Sequence, residues 1–339
     1  MINLVSVQYS PYRLFPRAPL NSRCSQNPRE GVLLKIDFGN GKVGYSDCFP
    51  WVEFGDLPWK EQVAQLQAGL ITSLTERALF FAQLDAEARV KKKSLFESIS
   101  VPPSHDLLTK VEPIDERFLE KMAHSGFQKI KLKCGSNLLE EASWIQAMLN
   151  DLKAYSIKLR LDFNSSVAPS QLDYFLDLLG PSLSVIDFIE DPLVWDIQLW
   201  AAVKKKWGVR LALDWISLTE IRKIEKPSFS VLVLKPARQD PELWLREAER
   251  LGVSVVVTSS LDHPFGQVCA AWTAGKIQQE KKVILESCGL VSHLVYEPHP
   301  FSETLRVEFG ALRPSVGEGF GMTALFEGLD WNKAEFLKI

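Results

Sequence analysis

The chain has 339 residues, of which 46% are hydrophobic and 24% are charged, and its formal net charge is -3. This length and balance predict a globular protein with two hydrophobic cores and argue against a disordered chain. A net charge so close to zero provides no basic field to attract nucleic acid or an anionic membrane surface, so we expect a small-molecule partner.

Cysteine usage and the start of the chain indicate the compartment. The five cysteines include no CxxC pair and leave one residue over, which favours neither a disulfide framework nor a zinc site. The first residues lack the basic and apolar regions of a signal peptide, and no apolar stretch approaches the roughly 20 residues that span a bilayer. We therefore expect a cytoplasmic protein with no membrane partner.

In chain order, residues 1–100 are predicted to form a separate α+β domain. The segment VLLKIDFGNGKVGYSD alternates apolar and polar residues around Gly39-Asn40-Gly41, as in a β-hairpin, and helical patterns follow from about Trp59 to Ser98.

Residues 101–296 alternate short β-branched runs with amphipathic stretches, which is typical of β-α units around a parallel sheet. Strands are predicted at 106–112, 128–134, 157–163, 185–190, 209–214, 230–235, 253–259 and 282–286. Eight such strands close an α/β barrel. The tail, 297–339, is predicted to return to the first domain.

Three acids lie at the carboxyl ends of three successive predicted strands: Asp162 in LRLDFN, Glu190 in DFIEDP and Asp214 in LALDWI. Strand ends converge at the mouth of a barrel, where active sites form. Three carboxylates near one point repel each other unless a hard dication neutralises them, so we expect Mg2+, for which Mn2+ could substitute. A single acid there is more often a helix cap, and Asp187 and Asp191 remain as competing candidates.

Lysines flank these acids in the sequence. Lys129, Lys131 and Lys133 alternate along the second strand and therefore share one face, while Lys235 ends the apolar run VLVL of the sixth. A solvated strand edge would explain KxKxK in an open sheet, but a closed barrel has no edge strand. We expect Lys133 and Lys235 to face each other across the metal.

This set is suited to removing a proton next to a carboxylate. Such a proton is weakly acidic, and its removal requires a base together with stabilisation of the enediolate that develops. Lysine combined with Mg2+ is the arrangement of enolase-type sites.

The order of the motifs KLKCG, RLDFN, IEDP, LALD and LKP resembles the muconate-lactonizing subgroup of the enolase superfamily. The resemblance covers nearly the whole chain and implies a modified (β/α)7β barrel with an α+β capping domain built from both chain ends. Within the subgroup, RLDFN and TSSLDHPFGQ most resemble the Mg2+-dependent dehydratase of menaquinone biosynthesis. Many relatives carry an acid after the third metal ligand, where this chain has Trp215.

The resemblance implies a role for each residue. Lys133 would remove the proton and then protonate the departing hydroxyl, Lys235 would stabilise the enediolate, and Lys131 would support Lys133. Substrate contacts are expected from a further set: Ser259, Ser260, Asn164 and Arg160. The two serines are equally well explained as strand-end turn residues.

Other functions remain open at this stage. An N-acylamino acid racemase or dipeptide epimerase would use the same acids and both lysines, although ILESCGL stands where such an epimerase would carry Asp-x-Asp. A non-catalytic metal-binding barrel and a barrel with Lys235 as a Schiff-base nucleophile are further alternatives.

Overall fold

The computed structural model of the chain describes residues 5–20 and 27–334. These residues form a four-stranded antiparallel sheet, a seven-stranded parallel sheet and a two-stranded hairpin. Helices follow the parallel strands along the chain. The architecture is that of a modified α/β barrel with an α+β capping domain, as the sequence predicted.

The antiparallel sheet is built mainly from the N-terminal part of the chain. Its elements there are β1 (Ser6–Leu14), β2 (Arg29–Asp37), β3 (Val43–Cys48), α1 (Trp59–Gln67) and α2 (Ser73–Val90). The predicted β2–β3 hairpin is confirmed: Gly39, Asn40 and Gly41 adopt φ values of 83°, 55° and 75°, a region open to glycine and tolerated by asparagine. The side chain of Thr72 caps α2.

The C-terminal segment contacts this sheet. It contains β11 (Arg306–Glu308), β12 (Ala311–Arg313), α11 (Thr323–Glu327) and β13 (Asn332–Ala334). Strand β13 pairs antiparallel with β1, and Phe326 of α11 stacks on Tyr45 of β3 at 4.1 Å. The segment LRVEFG instead forms the separate β11–β12 hairpin.

Seven of the eight predicted barrel strands are confirmed, each somewhat shorter than predicted. They are β4 (Asp106–Leu108), β5 (Lys129–Lys133), β6 (Lys158–Asp162), β7 (Ile186–Glu190), β8 (Leu211–Leu213), β9 (Val231–Leu234) and β10 (Ser254–Val257). The surrounding helices are α3 (Glu116–His124), α4 (Leu138–Ala147), α5 (Leu149–Ala154), α6 (Pro169–Leu179), α7 (Ile197–Trp207), α8 (Leu218–Ile221), α9 (Pro241–Leu251) and α10 (Pro264–Glu280).

The eighth predicted strand, 282–286, was wrong as a regular strand. Residues 284–289 instead make single bridges, with Val255 N donating to Ile284 O at 2.8 Å on one side and His105 N donating to Cys288 O at 2.7 Å on the other. The backbone at this point supplies partners for both edges of the sheet without forming a continuous ladder. The barrel is therefore closed by an irregular segment.

Strand β9 shows why its apolar run is uninterrupted. Val231 and Val233 belong to a small apolar cluster with residues of other barrel strands, whereas Leu232 and Leu234 belong to the large core that includes the helices. Successive side chains of a strand point to opposite faces, and both faces here are covered.

The loop after β3 reaches the barrel mouth. Trp51 Nε1 donates to Ser260 O at 2.8 Å, and the Arg238 guanidinium binds both carboxylate oxygens of Asp56 at 2.7 and 2.8 Å. The capping domain is thus attached at the carboxyl ends of the barrel strands, where the predicted site residues lie.

Four cysteines lie in the described ranges, and all four are buried thiols: Cys48, Cys134, Cys269 and Cys288. Cys24 lies outside the described residues. Within the described ranges, no helix combines the length and the apolar character needed to cross a membrane.

Candidate active site

The three predicted acids lie side by side at the barrel mouth. Asp162 and Glu190 end adjacent strands and are register partners, and Asp214 directly follows the next strand. All three side chains are buried, since at most 7% of each residue is exposed. The parallel ladder brings them together because it aligns the strand ends.

Lys131 lies between the first two acids. Its Nζ donates to Asp162 Oδ2 at 2.8 Å and to Glu190 Oε1 at 2.6 Å. Burial would lower the pKa of Lys131, but the two carboxylates outweigh burial and raise it, so this lysine stays protonated.

Lys133 and Lys235 lie at the two ends of the row of acids. Lys133 Nζ donates to Asp162 Oδ2 at 2.6 Å, and Lys235 Nζ donates to Asp214 Oδ2. The third lysine of the β5 alternation, Lys129, instead pairs with Asp187 at 2.9 Å. Asp187 is therefore engaged outside the row of acids.

Asp191, the other competing acid, supports the backbone of the site. Its Oδ1 accepts a hydrogen bond from Asp214 N at 3.0 Å, and its own φ is 41°. Burial and the neighbouring Asp214 and Glu190 raise its pKa well above the usual value. The Asp191 side chain therefore holds the backbone of Asp214 in place.

A cavity opens beside these groups at the barrel mouth. Its charged side is formed by Lys131, Lys133, Asp214 and Lys235, and its other side by neutral residues that include His105 and the segment Thr258–Leu261.

Three of the four predicted substrate-binding residues line the cavity, namely Asn164, Ser259 and Ser260. Ser259 Oγ is 2.5 Å from Ser292 Oγ, whereas Ser260 Oγ is buried and has no hydrogen-bond partner among the described residues. The backbone N of Asn164 donates to Asp162 Oδ1 at 3.1 Å.

Arg160 is not among the residues that line the cavity. It is completely buried, its Nε donates to Asp187 at 2.9 Å, and its Nη1 lies 2.9 Å from His105 Nδ1. Arg160 shares the inward direction of Asp162, as its sequence parity predicted, but lies deeper in the barrel. Arg160 therefore contacts a cavity-lining residue, His105, without lining the cavity itself.

Sequence reasoning missed His105, Thr258 and the aromatic wall of the cavity. The aromatic wall contains Trp215, whose ring lies 5.6 Å from Lys235 Nζ and 5.4 Å from the guanidinium carbon of Arg238. Phe54 of the capping loop packs on it at 5.1 Å. His105 and Leu107 are two residues apart and both line the cavity. The alternation of side chains along a strand was the signal in the sequence that places the two on the same face.

The residues present suit a hard dication. Burial, followed by the charges of Asp162 and Asp214, raises the pKa of Glu190 to about 7, and Asp214 Oδ1 is buried without a hydrogen-bond partner in the described residues. Carboxylate oxygens are the ligands that Mg2+ prefers. In the described ranges no three His, Cys, Asp or Glu side chains are already grouped as a metal site, and lysine amino groups lie against these acids instead.

Comparison with known proteins defines the class. The chain superposes on a mandelate racemase/muconate lactonizing protein from Herpetosiphon aurantiacus with a TM-score of 0.75 and 17% identity, covering 94% of this chain and 98% of that one. It superposes on a dipeptide epimerase from Enterococcus faecalis, complexed with Mg and a dipeptide, with a TM-score of 0.74 and 15% identity, covering 94% and 99%. The fold is that of the enolase superfamily.

Sequence comparison is more specific. Residues 7–88 match the family model of the O-succinylbenzoate synthase N-terminal domain. The chain is 30% identical to the o-succinylbenzoate synthase of Bdellovibrio bacteriovorus over 330 residues, which is 97% of this chain and 98% of that protein. The chain belongs to the o-succinylbenzoate synthase family of the enolase superfamily, and it is an enzyme of the lyase class.

Proposed function

We propose that the protein is an o-succinylbenzoate synthase. It would dehydrate 2-succinyl-6-hydroxy-2,4-cyclohexadiene-1-carboxylate to 2-succinylbenzoate in menaquinone biosynthesis, with Mg2+ bound and Mn2+ able to substitute. The observation that carries this proposal is the 30% identity to a synthase over 97% of the chain. The cavity with acids between two lysines supports it.

Lys133 is the proposed acid and base. When neutral, its amino group takes the proton from the ring carbon that bears the carboxylate, and the C–H electron pair moves toward that carboxylate to give an enediolate, whose electron pair forms the new ring double bond as the hydroxyl leaves. The C–O bond to the hydroxyl then breaks, Lys133 returns the proton to the departing oxygen, and water leaves as the ring becomes aromatic. A single base on one face suffices for this sequence.

Lys235 and Lys131 are proposed to act through their charge. Lys235 lies at the other end of the row of acids, where a protonated amine stabilises the negative charge that develops on the substrate. Lys131 Nζ lies 2.8 Å from Asp162 and 2.6 Å from Glu190. It thereby holds in place Asp162, the carboxylate that Lys133 also contacts.

Asp162, Glu190 and Asp214 are the proposed metal ligands. When bound there, Mg2+ would act as a Lewis acid toward the substrate carboxylate. Asp191 would keep Asp214 oriented through the hydrogen bond at 3.0 Å. Asn164, Ser259 and Ser260 are proposed to bind substrate, and Arg160 to position a cavity residue.

A direct assay tests the function. Purified protein with Mg2+ is expected to consume the diene, which is followed by its falling absorbance; EDTA should abolish turnover and added Mg2+ should restore it. A wild-type protein that leaves the diene unchanged would sink the proposal, and EDTA-insensitive turnover would remove the metal from it.

Racemisation of N-acylamino acids is the second candidate, because Lys133 and Lys235 lie at opposite ends of the acids and a solved structure of the same fold is a dipeptide epimerase. Incubating N-succinylamino acids with the protein in deuterium oxide distinguishes the two. Deuterium at the α-carbon together with inversion of its configuration requires this second activity, whereas deuterium with retained configuration shows exchange by a single base. The absence of inverted product leaves dehydration alone.

The division into a capping domain (1–100 with 297–339) and a barrel (101–296) is also a proposal. The pairing of β13 with β1 supports it. A cytoplasmic location stays a prediction.

A further inference from the structure

His105 carries a fixed tautomer. Its imidazole is buried on the cavity wall directly before β4, and its Nδ1 lies 2.9 Å from Arg160 Nη1. A guanidinium can only donate hydrogen bonds, so Nδ1 is the acceptor and the proton of the neutral ring is on Nε2.

The surroundings keep this ring neutral. Burial, followed by the charges of Arg160 and Lys131, lowers the pKa of His105 well below its usual value. The side chain is therefore an uncharged hydrogen-bond donor at Nε2.

His105 and Thr258 both pack closely against a glycine. A Cβ on Gly289 would lie 2.8 Å from His105 Nε2 and 2.8 Å from Thr258 Cγ2, both closer than real side chains allow. Thr258 Oγ1 is buried and has no hydrogen-bond partner in the part of the chain that is described. A bare glycine thus lies against two polar side chains, one of which has an unused hydroxyl, and all three residues line the cavity.

The two sides of the cavity differ in charge. Lys131, Lys133, Asp214 and Lys235 form the charged side, which the proposed reaction uses for the reacting carboxylate. The niche of His105, Thr258 and Gly289 contains no ionised group, and it suits an oxygen acceptor elsewhere on the same ligand.

We infer that His105 Nε2–H and the Thr258 hydroxyl bind an oxygen of the substrate's acyl arm, and that His105 and Thr258 determine specificity for that arm. The inference rests on the proposed function and deepens it. Ser259 differs from Thr258 because its hydroxyl is already shared with Ser292 at 2.5 Å.

Binding measurements on matched ligands test the niche. Two compounds are titrated in the presence of Mg2+, 2-succinylbenzoate and benzoate, which lacks the arm. Thr258→Val and His105→Phe should each weaken binding of 2-succinylbenzoate about tenfold, the effect of one lost hydrogen bond. Gly289→Ala should do the same, because the added Cβ would displace the His105 and Thr258 side chains that it meets at 2.8 Å.

Benzoate affinity should stay unchanged in all three variants. Thr273→Val is the matched control, because its hydroxyl bonds Cys269 O within α10 at 3.0 Å and Thr273 does not line the cavity. The control should bind both compounds as the wild type does. KM for the diene should rise in the niche variants by the same factor as the dissociation constant.

Equal weakening of both compounds, or no weakening of 2-succinylbenzoate, would overturn the inference. If His105→Phe does not fold, Thr258→Val and Gly289→Ala decide the question. A wild type that binds 2-succinylbenzoate through its arm but leaves the diene unchanged would overturn the proposed function and uphold the niche. A wild type that binds neither compound would overturn the niche.

Discussion

The charged and neutral sides of the cavity are built on different kinds of backbone. The charged side uses the ends of β5 to β9, where Asp162 and Glu190 are register partners in a regular ladder. The neutral side includes Gly289 of the irregular closing segment, which makes a single bridge to Thr258, and His105, whose N donates to Cys288 O at 2.7 Å. Buried charges tolerate little displacement because each must keep its counter-ion, whereas a neutral donor costs less to bury on an irregular backbone.

The electrostatics follow the same division. On the charged side Lys131 keeps its proton because two carboxylates outweigh burial, and Asp162 has a lowered pKa because two lysines do the same. On the neutral side burial is the largest effect on His105, and the charges of Arg160 and Lys131 act in the same direction, so the pKa of His105 lies well below its usual value. The lysine–aspartate pairs of the first side are kept ionised, while burial raises the pKa of Glu190 beside them to about 7, and the imidazole of the second side is kept neutral.

Removing Lys133 should have the largest effect. Lys133→Ala is expected to reduce kcat by about 10³-fold or more, because it removes the proposed acid and base. Calorimetry should show that Mg2+ still binds, since the three acids remain. Lys129→Ala is the matched control on the same strand, where the amino group pairs with Asp187 instead of Asp162, and retention of most activity by Lys133→Ala would contradict the assignment.

A buried histidine that does not line the cavity, His293, should make folding sensitive to acid. Burial lowers the pKa of His293 to about 4, and Gln267 Nε2 donates to its Nδ1 at 2.8 Å. An unfolded histidine has a pKa of about 6.5, so the unfolded chain binds more protons below that pH and stability falls as the pH drops. This group alone should cost about 2 kcal/mol of unfolding free energy between pH 8 and pH 5.

Urea unfolding of wild type and His293→Phe at several pH values measures this effect. The wild type should lose more stability than the variant as the pH falls from 7 to 5. Parallel pH profiles for the two proteins would show that the imidazole is not kept neutral by the fold.

Loosening the capping loop, which joins Arg238 and Ser260 of the barrel mouth, should have the smallest effect. Asp56 accepts hydrogen bonds from Arg238, which packs on Trp215, and from the backbone N of Trp51, whose ring bonds Ser260 O. Asp56→Ala should raise KM roughly three- to tenfold with little change in kcat, because the loop is less often in place while the acids are untouched.

Steady-state kinetics with the diene checks this, and Glu30→Ala is the control. Glu30 pairs with Arg13 at 2.8 Å on an exposed surface, so its loss should leave KM unchanged. A fall in kcat equal to the rise in KM would mean that Asp56 also supports the reacting groups.

Sequence periodicity was a good guide where the backbone is regular. The strand ends at Asp162, Glu190 and Lys133 were predicted because alternation and strand order fix both the face and the level of a side chain. The eighth strand was predicted from KVILE and was wrong, because the chain there pairs first with β10 and then with residues before β4. A run of β-branched residues does not reveal how far a ladder continues.

The sequence by itself determined the family, the barrel class and the charged residues of the site. Motifs and strand ends are local features, and they can be read from consecutive residues. Only the tertiary structure decided that Arg160 lies below the cavity, that Lys131 lies between two acids, and that His105, Thr258 and Gly289 meet. These are contacts between residues far apart in the chain, and their geometry depends on how the barrel closes.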